Sequence, residues 1–286
     1  MSSRSKLATF RSTSGGAGYG LVRDDGVVDL SARFSGRWPT LREAIAEGAL
    51  PILSDAGAAG APDFALADAT LLPPIPAPEK IICIGVNYPD RNEEYKDGQA
   101  APKYPSMFIR FPRSFVGHGA RLVRPKASPQ LDYEGEIVIV IGRTACRVTE
   151  AVANNVIAGY TMVVDFSIPH ESFYRPSVRF KARDASCYIG PRVVAAGDVA
   201  SPDNLAITVS INGQIAQQTS TANMQRPVAR LLADVTDFMT LAPGDVLMLG
   251  VPLGAPLARA GQRMSAEIAG IGRYETAIAA SAKVAA

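Results

Sequence analysis

The segment from Leu131 to Gly142, LDYEGEIVIVIG, sets three acids, Asp132, Glu134 and Glu136, at every second position and then runs into five consecutive β-branched apolar residues. In an extended strand residues two apart point the same way, so Glu134 and Glu136 project from one face about 7 Å apart. Like charges that close repel unless something positive sits between them. One reading is the solvent face of an edge strand, with both acids hydrated. Three features favour another. The following IVIVI is apolar on both faces, as in an interior strand. Gly135 removes the side chain between the glutamates, as if the backbone bends there or something approaches closely. Asp165 ends a second apolar run, MVVDF, where a buried carboxylate is costly without a partner. Three carboxylates with no nearby cysteine or histidine ligand make an all-oxygen donor set, which selects hard divalent ions such as Mg²⁺ or Mn²⁺ over zinc.

Positive charge gathers in two other places. Arg175, Arg179, Lys181 and Arg183 fall within nine residues, and Arg110 and Arg113 flank Phe111-Pro112. Guanidinium forks match carboxylates bidentately, so Arg110 and Arg175 are candidates for reading an acidic substrate. The competing reading of such runs is a solvated surface. Tyr160 and Thr221 are further substrate-binding candidates, set against plain packing and turn roles. The sequence has two histidines, His118 in a VGHG loop and His170, five residues beyond Asp165 and next to Glu171.

The elements that must position these groups are mostly strands. KLATF, YGLV and GVVDL read as short strands, followed by a helical LREAIAEGAL. LPPIPAP packs four prolines into residues 72–78, which forbids regular structure and marks a linker between a small N-terminal domain, 1–71, and a catalytic domain, 79–286. KIICIGVNY, EIVIVIG and TMVVDF read as buried strands. TEAVANNVIAGYT reads as a short helix capped by Thr149 and ending at Gly159. Asn212-Gly213 is a hairpin turn. Pro227 to Thr240 reads as an amphipathic helix. The fold class expected is α+β and β-rich.

The 286 residues are 47% hydrophobic and 20% charged, enough to bury a core. A net charge of +2 gives no general attraction to nucleic acid, and no apolar run is long enough to span a bilayer. Three scattered cysteines and an N-terminus without the apolar region of a signal peptide point to a reducing, cytoplasmic setting. No GxGxxG or GxxxxGK[ST] follows any strand, which disfavours nucleotide binding.

The motifs IGVNY, DYEGEIVIVIG, AGYTMVVD, FKARDASCYIGP and DFMTLAPGDVLMLGVPLG, in this order, resemble the fumarylacetoacetate hydrolase family over about residues 80 to 276. YRPSVRFKARD is most similar to its branch of decarboxylases and isomerases of unsaturated 2-oxo dicarboxylates. The resemblance implies a mixed β-roll, often dimeric, with one Mg²⁺ or Mn²⁺ per subunit held by Glu134, Glu136 and Asp165. It also implies Lys181 as the active-site lysine and a small 2-oxo acid as substrate. One departure bears on the chemistry. Many of the family's hydrolases carry N-Y-x-x-H and then a glutamate to activate water, whereas this chain has Asn87-Tyr88-Pro89-Asp90-Arg91. Arginine cannot serve as that base, which leaves Arg91 as a substrate-binding candidate and His170 with Glu171 as a substitute dyad. Likewise the usual G-T-P reads Gly250-Val251-Pro252, without the hydroxyl. The activity expected first is metal-dependent C–C hydrolysis of an acylpyruvate, such as maleylpyruvate or fumarylpyruvate, in aromatic catabolism. Decarboxylation or isomerisation of an unsaturated 2-oxo dicarboxylate or oxaloacetate is the close alternative. A non-catalytic metal and oxo-acid binding protein is the alternative from another class.

Overall fold

The structure, a computed structural model, describes residues 6–91, 93, 103–120, 122–169 and 178–280. It begins with the antiparallel strands β1 (Lys6–Ser12), β2 (Ala17–Arg23) and β3 (Gly26–Asp29), then α1 (Ser31–Phe34), α2 (Leu41–Ala46), α3 (Leu50–Ala59) and β4 (Ala69–Leu71). Thr40 and Glu43 close a reciprocal capping box that starts α2. After the prolines come β5 (Ile81–Gly85), β6 (Ser106–Ile109), β7 (Phe115–Val116), β8 (Leu122–Arg124), the long β9 (Gln130–Ile141), α4 (Glu150–Ala153) and β10 (Ile157–Ser167). The chain continues through α5 (Val178–Lys181), β11 (Cys187–Ala195), β12 (Ala206–Ile211), β13 (Gln214–Ser220) and α6 (Val228–Thr236). It closes with β14 (Val246–Met248), β15 (Leu257–Arg259), β16 (Arg263–Ile268) and β17 (Gly272–Ala280).

The principal sheet runs β3-β2-β1-β11-β10-β9-β14-β5-β6, and a second sheet runs β13-β12-β16-β17-β8. β9 is therefore interior, hydrogen-bonded to β10 on one side and to β14 and β15 on the other. Alternation along β9 and β10 divides the core. Tyr133, Ile137, Ile139, Tyr160, Met162 and Val164 face the second sheet and α6. Val138, Val140 and Val163 face the opposite way, into a cluster with Trp38, Leu41, Ile45 and Leu53 from the N-terminal helices. Gly135 packs against the second sheet: a Cβ there would stand 3.1 Å from the Ala266 Cβ.

Two helices are shorter than the sequence pattern suggests. α4 stops at Ala153 because Ile157 already belongs to β10 and Gly142 N–H donates to the Val156 carbonyl. α6 stops at Thr236, where Arg147 N–H donates to the Thr236 carbonyl and an Ala145–Leu241 bridge draws the chain out of the helix, leaving Phe238 exposed. The N-terminal strands do not stand apart. β1 pairs antiparallel with β11, so they extend the principal sheet from its edge.

Candidate active site

The register of β9 against β10 sets Glu134 directly opposite Asp165, and Glu136 opposite Val163. Directly opposed Cα atoms in an antiparallel pair lie about 4.5–5.5 Å apart, within side-chain reach of each other. On its other side β9 pairs with β15 only through Gln130–Asp132 and with β14 only through Val138–Val140. Glu134 and Glu136 sit opposite the interval between those partners, where the chain from Leu249 to Pro256 loops off the sheet. All three carboxylates are buried, at 3%, 4% and 1% exposure for Glu134, Glu136 and Asp165.

Cations from three separate segments meet them. Lys181, at the end of α5, places its Nζ 2.7 Å from Glu134 Oε2 and 3.5 Å from Asp165 Oδ2. Arg91 donates to Glu134 Oε1 at 3.0 Å and to the Pro252 carbonyl at 3.3 Å. Arg110, wholly buried, pairs with Asp165 Oδ1 and donates to Ser186 Oγ at 3.1 Å, while the Ser167 hydroxyl donates to Asp165 at 2.9 Å. Burial opposes the charge of Asp165, but Arg110, Lys181 and the Ser167 hydroxyl outweigh it and hold the carboxyl below its ordinary range. Burial likewise opposes the charge of Lys181, yet Asp165 and Glu134 keep the ammonium protonated more firmly than an ordinary lysine.

Glu136 is treated differently. Among the described residues its one hydrogen bond comes from the Gly250 N–H, at 2.5 Å, and no cation is paired with it. Burial first, then the charges of Asp165 and Glu134, push its carboxyl up to about 8. Asp132, two residues before Glu134, is pushed up to about 7, by burial and then by Glu134. Within the described residues four carboxylates thus face three fixed cations. The carboxylates outnumber the cations by one, and among the described residues Glu136 and Asp132 are the two without an ion-pair partner.

This excess is what a dication would replace. The donors are all oxygen, from adjacent strands on one face, and their residual charge is negative, so the set fits Mg²⁺ or Mn²⁺ in chemistry. Among the described residues no three acids, cysteines or histidines are gathered into a finished coordination cluster. Lys181, Arg91 and Arg110 engage Glu134 and Asp165 instead.

The remaining candidates divide. His170, Glu171 and Arg175 lie outside the described residues. Tyr160 stands five residues from Asp165 along a regular stretch of β10, hence on the opposite face, packed in the core beneath the second sheet. Thr221 is a turn residue: its hydroxyl donates to the Pro202 carbonyl and accepts from Leu205 N–H. Tyr160 thus lies on the face away from the carboxylates, and the Thr221 hydroxyl is engaged in its own turn. Arg110, expected as a substrate reader, is spent on Asp165 and has no exposed side-chain surface. His118 is structural in placement, 3.4 Å from the Tyr188 hydroxyl and beside a stacked Tyr188–Tyr274 pair. The sequence reading missed Ser167, Ser186 and the Gly250 N–H. Alternation places Ser167 on the face of Asp165, so that signal was present. The other two arrive from loops and left no local trace.

The structure thus combines a strand-rich α+β fold with a buried, lysine-bridged carboxylate set beside a loop. The chain belongs to the family described as Fumarylacetoacetate (FAA) hydrolase C-terminal, which it matches over residues 80–279. It is 37% identical over 202 residues to a 4-hydroxyphenylacetate degradation bifunctional isomerase/decarboxylase of Salmonella dublin, covering 70% of this chain and 47% of that protein. The chain thus spans about half the length of such relatives. It is 33% identical over 242 residues to a mitochondrial oxaloacetate tautomerase of Homo sapiens, covering 82% of this chain and 76% of that one. In structure it resembles maleylpyruvate hydrolase from Sphingobium sp. SYK-6 in complex with manganese(II) and pyruvate, with a TM-score of 0.79 at 25% identity over 97% of this chain and all of the other. Family members of these kinds are hydrolases, isomerases or decarboxylases. Among the described residues no helix is long and apolar enough to cross a membrane.

Proposed function

We propose that this chain is a divalent-metal-dependent enzyme of small 2-oxo acids that works through their enol form, as a tautomerase, isomerase or decarboxylase, in preference to hydrolysing an acylpyruvate. The observation that carries the preference is Arg91. It occupies the place where the resemblance calls for a water-activating histidine, and its guanidinium is held against Glu134. A group that stays protonated takes no proton from water. Decarboxylation asks only that charge developing on the 2-oxygen be stabilised as carbon dioxide leaves, and tautomerisation in addition moves a proton between C3 and the 2-oxygen; neither needs a base that activates water. Mg²⁺ or Mn²⁺, one per subunit on Glu134, Glu136 and Asp165, would polarise the 2-oxo group as a Lewis acid. Lys181 stays protonated beside these acids and donates to the same oxygen as charge builds. Arg91, held between Glu134 and the Pro252 carbonyl, adds positive charge beside the site, with Arg175 a candidate cation for a substrate acid group. The relatives with isomerase, decarboxylase and tautomerase names support this reading.

Hydrolysis of maleylpyruvate or fumarylpyruvate is the second reading, favoured by the full-length likeness to maleylpyruvate hydrolase and needing His170 with Glu171 as the water-activating pair. Residues 79–286 would be the catalytic unit in either case. A homodimer is supported by the exposed apolar row of Met107 and Ile109 on edge strand β6 and Phe111 just beyond. The test is a panel of oxaloacetate, an unsaturated 2-oxo dicarboxylate and both acylpyruvates with Mg²⁺ or Mn²⁺. Enol–keto exchange or carbon dioxide release, without pyruvate from the acylpyruvates, is expected. Efficient acylpyruvate cleavage, lost in His170→Asn, would overturn the preference and install the second reading.

A further inference from the structure

Asn87 follows the end of β5 and is fully buried, yet touches none of the candidate ligands. Its side chain is completely engaged. Oδ1 accepts from Arg226 N–H at 3.0 Å, and Nδ2 donates to the Arg226 carbonyl at 3.2 Å and to the Leu249 carbonyl at 3.0 Å. The last bond matters most, because the Leu249 carbonyl and the Gly250 N–H belong to one peptide group. That N–H is the donor to Glu136 Oε2 at 2.5 Å. Hydrogen bonds in series through an amide polarise one another: pulling electrons toward the carbonyl oxygen makes the N–H a stronger donor.

The backbone is bent to make this series. Val86, β-branched, has φ of 52° and Gly250 has φ of 91°, both in the left-handed region. A side chain at Gly250 would meet the Ile84 carbonyl at 2.8 Å. Strain of this kind at a β-branched residue persists only where the surroundings over-determine it. Here a strained corner at Val86 after β5 and a glycine corner at Gly250 after β14 come together so that a single peptide spans the gap between Asn87 and Glu136.

We propose that Asn87 is a positioning residue that acts through the Leu249–Gly250 peptide, fixing the orientation of the Glu136 carboxylate and thereby setting the affinity for the divalent ion. The inference rests on the reading of Glu136 as a ligand. Outer partners of ligating carboxylates govern metal affinity without touching the metal.

The test uses the full chain. Mn²⁺ binding is measured by isothermal titration for wild type, Asn87→Ala and Gln225→Ala. Gln225→Ala is the structural control, since it removes a 3.4 Å bond from Gln225 to the Tyr88 carbonyl between the same two segments and leaves Leu249 bonded. Asn87→Ala is expected to bind Mn²⁺ about 10- to 100-fold more weakly, with Gln225→Ala within twofold of wild type. Equal losses in both variants, or none in Asn87→Ala, overturn the relay and leave the ligand reading intact. Failure of wild type to bind Mn²⁺ overturns both. If Asn87→Ala does not fold, a Mg²⁺ titration of ¹⁵N-labelled wild type decides. The Asn87 Nδ2 protons and the Gly250 amide should shift together, and a Gly250 shift with Asn87 unmoved overturns the proposal.

Discussion

Replacing Arg110 with methionine tests the electrostatic account of the site most directly. The guanidinium has no exposed side-chain surface, and its partner Asp165 is 1% exposed. Breaking a buried ion pair by removing one member costs about 3–5 kcal/mol, because the other charge is left behind. Asp165 would keep the Ser167 hydroxyl at 2.9 Å and the Lys181 ammonium at 3.5 Å, so the cost should fall at the lower end, about 3 kcal/mol. Asp165→Asn should cost a similar amount by orphaning Arg110. The double variant Arg110→Met/Asp165→Asn leaves no uncompensated charge, and replacing both members of such a pair is often nearly neutral. Urea unfolding of the metal-free protein at pH 7 should therefore show a coupling of about 6 kcal/mol between the two sites, nearly the whole of the two single costs. A cost below about 1 kcal/mol for Arg110→Met, or simple additivity in the double variant, would refute the assignment of Arg110 as the counter-ion of Asp165. A variant of unchanged stability with a raised KM would return it to substrate binding.

Other outcomes follow from the same geometry. Burial and neighbouring carboxylates push Glu136 and Asp132 up to about 8 and 7, so between about pH 4 and 8 these two groups hold more protons in the folded metal-free chain than in the unfolded one. Its stability should fall as pH rises through that window. Glu136→Gln should flatten the slope in thermal melts, and saturating Mg²⁺ should oppose it by displacing protons; a slope that rises with pH would contradict the assignment. Lys181→Met should lower kcat about 10²–10³-fold with the fold intact, as loss of one donor to a developing oxyanion does, and a loss under tenfold would remove Lys181 from the chemistry. Gly135→Val should cost about 1–3 kcal/mol by overpacking against Ala266 and Val209 while leaving Mn²⁺ affinity unchanged, since that side chain points away from the carboxylates. An affinity change without a stability loss would reverse the assignment of faces.

Much of the site was legible because a strand writes its faces into sequence at period two. Alternation alone put Glu134 and Glu136 on one side of β9, and the two-sided apolar run IVIVI marked β9 as interior, as found between β10 and β14. Gly135 announced a close approach, and Ala266 makes it. The Asn212-Gly213 turn stands where it was read, with φ of 51° and 82°. Helix ends were less legible. The α6 helix ends at Thr236, whose carbonyl accepts from Arg147 N–H, and Ile157 pairs with Ile141 instead of continuing a helix; local pattern does not record such distant claims.

By itself, then, the sequence determined which residues share a strand face and that the acids grouped there are all oxygen-bearing, and its resemblance to the family marked Arg91 as standing where a histidine is expected. Only the tertiary structure decided the partners. Arg110 arrives from beyond β6 and pairs with buried Asp165, Tyr160 falls on the face of the sheet opposite Asp165, and the N-terminal strands join β11. The Gly250 N–H reaches Glu136 across 114 residues of chain. Periodicity is a local property of the backbone and survives in one dimension. Pairing of charges and peptides from remote segments is set by how strands cross and where loops leave the sheet, and that is settled only when the whole core packs.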